Sequence, residues 1–353
     1  MALDTLGASP VLALNSGSSS LKFALYSVGA ASVEALLAGE LEGELHARDA
    51  VSRVAQLISE RELPAPAAIG HRVVHGGARL HRHCVLDEAV LRELEAAAAF
   101  APLHAPAALS MIRAAQEHFG REPQVACLDT AFHAGLPNVA RTLPLPRDLQ
   151  AQGIERYGFH GLSCESIVRQ LGAALPARLV IAHLGSGASI TAVKNGGSID
   201  TSMSLTPSGG VIMGTRCGDL DPGILVYLMR EKKLDAAQLE DLVNRRCGLL
   251  GISGIDADMR RLHEAARSKD AAQLAIEMFC YSVRKQVAAM AAALEGLDLL
   301  VFTGGIGERD ATVRAAICDG LSWLPCPVRV LPADEEVQIA RHTWDLLNGI
   351  RVG

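Results

Sequence analysis

The sequence predicts an α/β chain built from two related halves, and three segments carry that prediction. Val11-Leu-Ala-Leu-Asn-Ser-Gly-Ser-Ser-Ser-Leu-Lys-Phe-Ala-Leu25 enters a turn of small polar residues from an apolar run and leaves it as an apolar, alternating run. That pattern is a β-hairpin. Its tip offers backbone N–H groups, hydroxyls, the Asn15 amide and the Lys22 ammonium. Many small donors with little bulk are what phosphate oxygens require, although taken alone the segment also fits a Ser-rich surface hairpin. Leu179-Val-Ile-Ala-His-Leu-Gly-Ser-Gly-Ala-Ser-Ile-Thr-Ala-Val193 repeats the design about half a chain later. Leu299-Leu-Val-Phe-Thr-Gly-Gly-Ile-Gly-Glu308 is a buried strand running into a Gly-rich turn, where an α/β fold brings backbone close to a base or ribose. Two phosphate-type hairpins so spaced imply an internal duplication with a nucleotide held between the halves.

In chain order, the first hairpin is followed by a helix over residues 49–58 and a strand over 68–74. Helices over about 89–99 and 107–118 come next, then the strand Gln124-Val-Ala-Cys-Leu128. Asp129 follows that strand and so stands at its carboxyl end, where α/β active sites collect. Pro144, Pro146 and Gly153 punctuate a connection that reads as the domain boundary. The predicted domains are therefore 1–149 and 150–336, with a helical tail over 337–347. Beyond the boundary strands recur near 179–185 and 189–193. Ile276, Phe279, Cys280, Val283, Val287, Met290 and Leu294 repeat at helical spacing, the mark of a core-facing helix.

Bulk properties exclude several classes. The 353 residues suffice for two ordinary domains, and 49% hydrophobic against 20% charged residues describes a globular chain. A net charge of −6 without a basic stripe predicts no nucleic-acid partner. The N-terminus lacks a signal-peptide pattern, and the apolar run from Val287 stops at Glu295, far short of a bilayer span. The expected location is cytoplasmic. Eight cysteines without a C-x-x-C predict reduced thiols, with neither a zinc site nor a disulfide framework. No P-loop signature is present, no G-x-G-x-x-G follows a first strand, and Gly161-Leu-Ser-Cys-Glu165 misses the hydrolase elbow at its last position.

Two arginines lie beside Gly-rich turns: Arg72 in Gly70-His-Arg-Val-Val-His-Gly-Gly77, and Arg216 in Met213-Gly-Thr-Arg-Cys-Gly-Asp-Leu-Asp-Pro222. A planar guanidinium binds carboxylate or phosphoryl groups bidentately and keeps its charge at any working pH. His71 and His75 are spaced i,i+4 but lack the Glu of H-E-x-x-H. They read as structural, as do His81, His83 and His133.

These motifs resemble the acetate kinases, a family of the acetate and sugar kinase, Hsp70 and actin superfamily. The resemblance extends over nearly the whole chain. It also rests on Asn15-Ser-Gly-Ser-Ser-Ser-Leu-Lys22, Ala101-Pro-Leu-His-Ala-Pro106, Asp129-Thr-Ala-Phe-His133, Tyr157-Gly-Phe-His-Gly161 and His183-Leu-Gly-Ser-Gly187. It implies a duplicated ribonuclease H-like (actin-like ATPase) fold with the active-site cleft between two domains. The tail, 337–353, would cross back onto the first, acyl-substrate-side domain, leaving 150–336 to bind nucleotide. The implied reaction is reversible, Mg²⁺-dependent transfer of the γ-phosphoryl of ATP to acetate, giving acetyl phosphate and ADP, in a homodimer.

The resemblance also implies roles. Arg72, Asp129, His160 and Arg216 would be catalytic, with His160, Arg216 and His104 stabilising the transferring phosphoryl group. Arg72, Val74, Leu103, Phe159 and Pro207 would hold the acyl substrate. Asn15, Ser18, Ser20, Lys22, His183, Gly185, Ser186 and Gly187 would address phosphates. Asp258, Met259, Arg260, Gly304, Gly305, Ile306 and Gly307 would take the nucleoside. Asn15 and Glu335 would hold Mg²⁺, with Asp334 and Glu336 close enough in sequence to compete for that part. Departures from the family pattern gather on the nucleotide side: Ser186, Gly209, Met259, Arg309 and a shortened stretch between Trp323 and Val330. A propionate kinase is the near alternative; an actin-like ATP-binding scaffold and a sugar kinase are the distant ones.

Overall fold

The computed structural model describes residues 7–17, 20–43, 46–101 and 105–349. Two compact units emerge, one of Met1–Ala134, Gly161–Ser166 and Asp334–Gly353, the other of Gly135–His160 and Ile167–Ala333.

The first unit holds a sheet of β1 (Ser9–Ser16), β2 (Ser20–Val28), β3 (Val33–Glu42), β4 (Ala68–Val73), β5 (Cys84–Val85) and β6 (Gln124–Leu128). Its strand order is β3-β2-β1-β4-β6-β5. The second holds β7 (Arg178–Leu184), β8 (Ala188–Lys194), β9 (Gly197–Thr201), β10 (Leu299–Thr303) and β11 (Val328–Val330), in the order β11-β10-β7-β8-β9. Each unit therefore starts with three antiparallel strands and adds two parallel ones beside the first. This is one ribonuclease H-like topology used twice, the duplication expected from the paired hairpins. The central strands are covered on both faces, which is why Val11–Leu14, Leu179–Ala182 and the whole of β10 read as unbroken apolar runs.

The boundary lies elsewhere than the punctuated stretch suggested. Residues around 144–153 form an excursion of the second unit, because backbone and Arg156 bonds tie both its ends there. Arg156 donates from Nε to Ala140 O and from Nη1 to Thr201 O, and the Tyr157 N–H donates to Ser204 O. The chain then passes through the first unit for six residues, Gly161–Ser166, within the helix Gly161–Leu171. A local composition signal cannot report such a crossing.

The tail helix runs Glu335–Leu347, two residues longer at its start than expected. Ile339, Ala340 and Trp344 share a core with Val11, Ala13, Ala24, Tyr26 and Cys127, which brings Glu335 into the first unit. Gly70 permits this docking: a methyl there would lie 2.6 Å from Ile339 Cγ2 and also strike Thr343 Oγ1. Gly70→Ala is expected to destabilise the chain by about 1–3 kcal/mol. A urea-unfolding midpoint equal to that of the wild type would refute this close packing.

The core-facing helix spans Asp270–Ala293 and buries Ile276, Phe279, Cys280, Val283, Val287 and Met290, at the spacing read from the sequence. No disulfide joins any of the eight cysteines. Among the described residues no helix is long and apolar enough to cross a membrane.

Candidate active site

In the first unit, four sequence-distant segments deliver one polar cluster. β1 and β2 pair antiparallel with Asn15 opposite Lys22, so the Asn15 amide stands at the hairpin tip. Parallel pairing of β4 with β6 sets Arg72 against Cys127, and Asp129 follows one residue past the end of β6. The N-terminus of the tail helix supplies Glu335 and Glu336.

Arg72 donates from Nε (2.9 Å) and Nη2 (2.6 Å) to Asp129 Oδ2, and from Nη1 (3.3 Å) to Asn15 Oδ1. Asn15 Nδ2 donates to Glu335 Oε2 at 2.9 Å and to Glu336 Oε1 at 2.8 Å. Glu335 Oε2 is 3.9 Å from Arg72 Nε. Burial works against charge on Arg72, yet Asp129, Glu335 and Glu336 outweigh it and hold the guanidinium protonated. Burial pushes the Asp129 carboxyl up to about 6 in spite of Arg72, and Glu335 adds to the rise.

Three carboxylates around one guanidinium leave an excess of negative charge. Asp129, fully buried, also has an Oδ1 with no hydrogen-bond partner among the described residues. A hard divalent cation seeks oxygen donors of this kind, so Asn15, Asp129 and Glu335 fit a Mg²⁺ site. Glu336 joins the cluster as well; the sequence had left it as a rival to Glu335, and the helix start places both side chains on Asn15.

In the second unit, His160 and Arg216 converge beside Gly187. His160 adopts a left-handed backbone, φ 59°, immediately before its helix. Such conformations in non-Gly residues cost energy and cluster at functional sites. Its ring stacks on His183 at a centroid distance of 4.1 Å, and its Nδ1 lies 3.0 Å from Ser189 Oγ. Arg216 donates from Nη1 to Pro207 O at 2.6 Å. A methyl on Gly187 would lie 2.8 Å from Arg216 Nη2 and 3.3 Å from His160 Nε2. A guanidinium nitrogen and an imidazole nitrogen thus reach one point next to bare backbone.

The segment Gly304–Arg309 is a short helix starting directly at the end of β10, and not an open turn. Glu308 Oε1 accepts from the N–H groups of Gly304 and Ala333, anchoring that start. A Cβ on Gly304 would meet Leu184 O at 2.8 Å and His183 Nε2 at 3.1 Å, so its glycine character, with φ +77°, allows the end of β10 to lie against the end of β7.

The other expected residues have the following surroundings. Asp258 caps the helix Met259–Ala265 and pairs with exposed Arg260 at 2.6 Å, so those two are engaged with each other. Met259 is buried in the core, its side chain turned away from solvent. Ser20 Oγ donates to Glu40 Oε1 at 2.6 Å, whereas Lys22 is exposed. Ser186 is exposed and Gly185 partly so. Val74, in the first unit, and Phe159 and Pro207, in the second, are buried. Ser18, Leu103 and His104 lie outside the described residues. Ser189 was missed because a strand serine reads as ordinary β-pairing. Glu308 lay within the Gly-rich motif but carried no signal of its own.

Three of the histidines read as structural have partners of the following kind. His71 Nε2 is 2.7 Å from Gln124 Oε1. His75 Nδ1 accepts from Gly77 N at 2.8 Å and His83 Nδ1 from Leu128 N at 3.0 Å.

A family model described as the acetokinase family matches residues 38–330. An acetate kinase of Rhodopseudomonas palustris is 40% identical over 396 aligned residues, covering 97% of this chain and 99% of that protein. A crystal structure of a propionate kinase from Francisella tularensis is 35% identical with a TM-score of 0.89, covering 96% of this chain and 99% of the other. That of the Porphyromonas gingivalis acetate kinase is 33% identical with a TM-score of 0.85, covering 96% and 100%. The alignment with the R. palustris protein, at 396 positions, is longer than the 353 residues of this chain.

Proposed function

Because the chain belongs to the acetokinase family, we propose that it is an acetate kinase, moving the γ-phosphoryl group of ATP to acetate and back. The observation that carries this reading is the convergence of Arg216 Nη2 and His160 Nε2 beside Gly187. A transferring phosphoryl group spreads charge over three equatorial oxygens and asks the protein for positioned donors more than for covalent chemistry.

In the forward direction a carboxylate oxygen of acetate attacks the γ-phosphorus, and the bond from that phosphorus to the β–γ bridging oxygen breaks in line. No general base is needed, since the nucleophile is already ionised. Arg72 pairs with the acetate carboxylate, Arg216 and His160 donate to the equatorial oxygens, and Ser189 and His183 hold the His160 ring in place. The glycines at 185, 187, 304, 305 and 307, with Ile306, let backbone approach the nucleotide, while Asn15 and Lys22 address phosphates. Asn15, Asp129 and Glu335 would hold Mg²⁺, which when bound would supply neutralising charge to the phosphates. Val74, Phe159 and Pro207 are assigned to the acyl substrate on the resemblance.

Acetate and propionate differ by one methylene, worth only about 1–3 kcal/mol in an apolar pocket. The similar structure named a propionate kinase supports that second reading. An actin-like scaffold has no need of a guanidinium set between carboxylates, and a sugar kinase would use Asp129 as base, a part opposed by its pairing with Arg72. A cytoplasmic homodimer completes the proposal. The helix Pro222–Glu231 supports a dimer, because none of its residues is buried although Ile224, Val226, Tyr227 and Met229 are apolar.

Hydroxylamine trapping with Mg-ATP tests the reaction. Acyl hydroxamate is expected from acetate and propionate, less from butyrate, none from glucose and none without Mg²⁺. ATP consumption with glucose alone would overturn the reading.

Donor choice is a further expectation. With Met259 turned inward and Asp258 and Arg260 paired together, few side chains remain to read the purine edge. A preference for ATP over GTP, CTP and pyrophosphate of less than about a hundredfold in kcat/KM is expected, since selectivity of this kind needs buried polar partners. A larger preference at saturating acetate would refute it.

A further inference from the structure

Beyond these two groups of residues, the first unit buries a second titratable set. His83, Glu165 and His342 bring their donor atoms within 4.8 Å of one another. Glu165 Oε2 lies 2.5 Å from His342 Nε2, and Oε1 lies 3.7 Å from His83 Nε2. The two imidazoles overlap at a centroid distance of 3.8 Å. Gln338 Nε2, one turn before His342, donates to Glu165 Oε2 at 3.2 Å.

Two histidines and a carboxylate are a metal-ligand set by type, but hydrogen bonding opposes that use. The Leu128 N–H donates to His83 Nδ1, so Nδ1 keeps its lone pair and the neutral ring carries its proton on Nε2, facing Glu165. Presenting an Nε2 lone pair to a metal would put a proton on Nδ1, against the Leu128 N–H. Burial disfavours charge on Glu165, yet the contacts from His342 and His83 hold its carboxyl well below the usual range. The set is a carboxylate clamped by two rings.

We propose that His83, Glu165 and His342 are positioning residues that fix Asp129 for its part in the site. Two connections reach that residue or its neighbour, and a third reaches Asn15 in the same cluster. His83 holds the N–H of Leu128, the residue immediately before it. Glu165 sits in the helix whose first residue, Gly161, donates its N–H to Asp129 O at 2.9 Å. A side chain on Gly161 would collide with that same carbonyl. His342 lies about two turns beyond Glu335 on one helix, and Glu335 receives the Asn15 amide. Asp129 N–H itself donates to Val73 O at 2.9 Å. The network thus braces the loop after β6 from the sheet edge, the Gly161–Leu171 helix and the tail helix. Asp129 Oδ2 takes Arg72 while Oδ1 stays available. This proposal rests on the functional reading above.

The test compares wild type, His83→Leu, His83→Asn and Glu165→Gln in the full chain, measuring hydroxamate formation from acetate. His83→Leu and Glu165→Gln are expected to lower kcat roughly tenfold, since about 1 Å of misplacement can cost on the order of a hundredfold. Both should raise the half-saturating Mg²⁺ concentration several-fold while KM for ATP stays within about twofold. His83→Asn should recover most of the loss, because its Oδ1 can accept the Leu128 N–H in place of Nδ1. Loss in His83→Asn equal to that in His83→Leu would overturn the proposal, as would kcat and Mg²⁺ dependence within about twofold of wild type in both disruptive variants. If His83→Leu fails to fold, near-isosteric Glu165→Gln decides. A stoichiometric Co²⁺ absorption band in wild type that His83→Asn abolishes would make the set a metal site instead and also overturn it. A wild-type chain that forms no acyl phosphate removes the functional reading and this proposal with it; active wild type with indifferent variants removes this proposal alone.

Discussion

Arg216→Ala and Arg72→Ala should each reduce acyl phosphate formation by about 10²–10³, the scale of one lost donor to transition-state charge. The two differ in what else they disturb. Arg216 is partly exposed and donates to the Pro207 carbonyl, so its removal should cost less thermal stability than that of Arg72. Arg72 carries two hydrogen bonds to Asp129, whose side chain is fully buried. Its removal strands a buried carboxylate and should lower the melting temperature as well. Lysine should rescue either position poorly, because an ammonium cannot reproduce the fork. Turnover within a few-fold of wild type in either alanine variant would take that arginine out of the mechanism.

Gly187→Ala is the second large effect, and it should fall on rate more than on stability. The added methyl would meet Arg216 Nη2 at 2.8 Å and His160 Nε2 at 3.3 Å. The guanidinium is the end of a flexible chain and can swing away cheaply. His160 is held by Ser189 and by its stack on His183, and has less room to give. The fold therefore survives while the two donors separate. Misplacement of about 1 Å costs on the order of a hundredfold in rate, so kcat should drop by one to two orders of magnitude with an unchanged melting curve. Full activity would mean that Arg216 and His160 do not act at the point beside Gly187.

Much of this architecture was legible in the chain. The paired hairpins, the apolar runs of β1, β7 and β10, and the spacing in Asp270–Ala293 announce elements that are buried on known faces, and burial writes itself into local periodicity. The Arg72 and Arg216 motifs were legible for a similar reason, since glycines mark where backbone must come close. The boundary was not. Pro144, Pro146 and Gly153 punctuate a surface excursion, whereas the crossing at Gly161–Ser166 runs through an ordinary helix.

The nucleotide side shows the other limit. Asp258, Met259 and Arg260 stand in a motif whose resemblance implies nucleoside contacts; the structure adds that Asp258 caps a helix, Met259 is buried and Arg260 pairs with Asp258. Motif position names a residue; packing decides where its side chain goes.

By itself, then, the sequence determined the duplicated α/β pattern and the candidate chemistry of Asn15, Arg72, Asp129, His160 and Arg216. Local forces dictate those features: apolar periodicity, turn chemistry and the backbone freedom of glycine. Only the tertiary structure decided that Asn15 meets Glu335 and Glu336 across 320 and 321 residues, and that His83, Glu165 and His342 close around the loop bearing Asp129. Such pairings follow from docking the tail helix and a six-residue crossing onto one sheet. Their energy lies in contacts between segments distant in sequence, on which no local window bears.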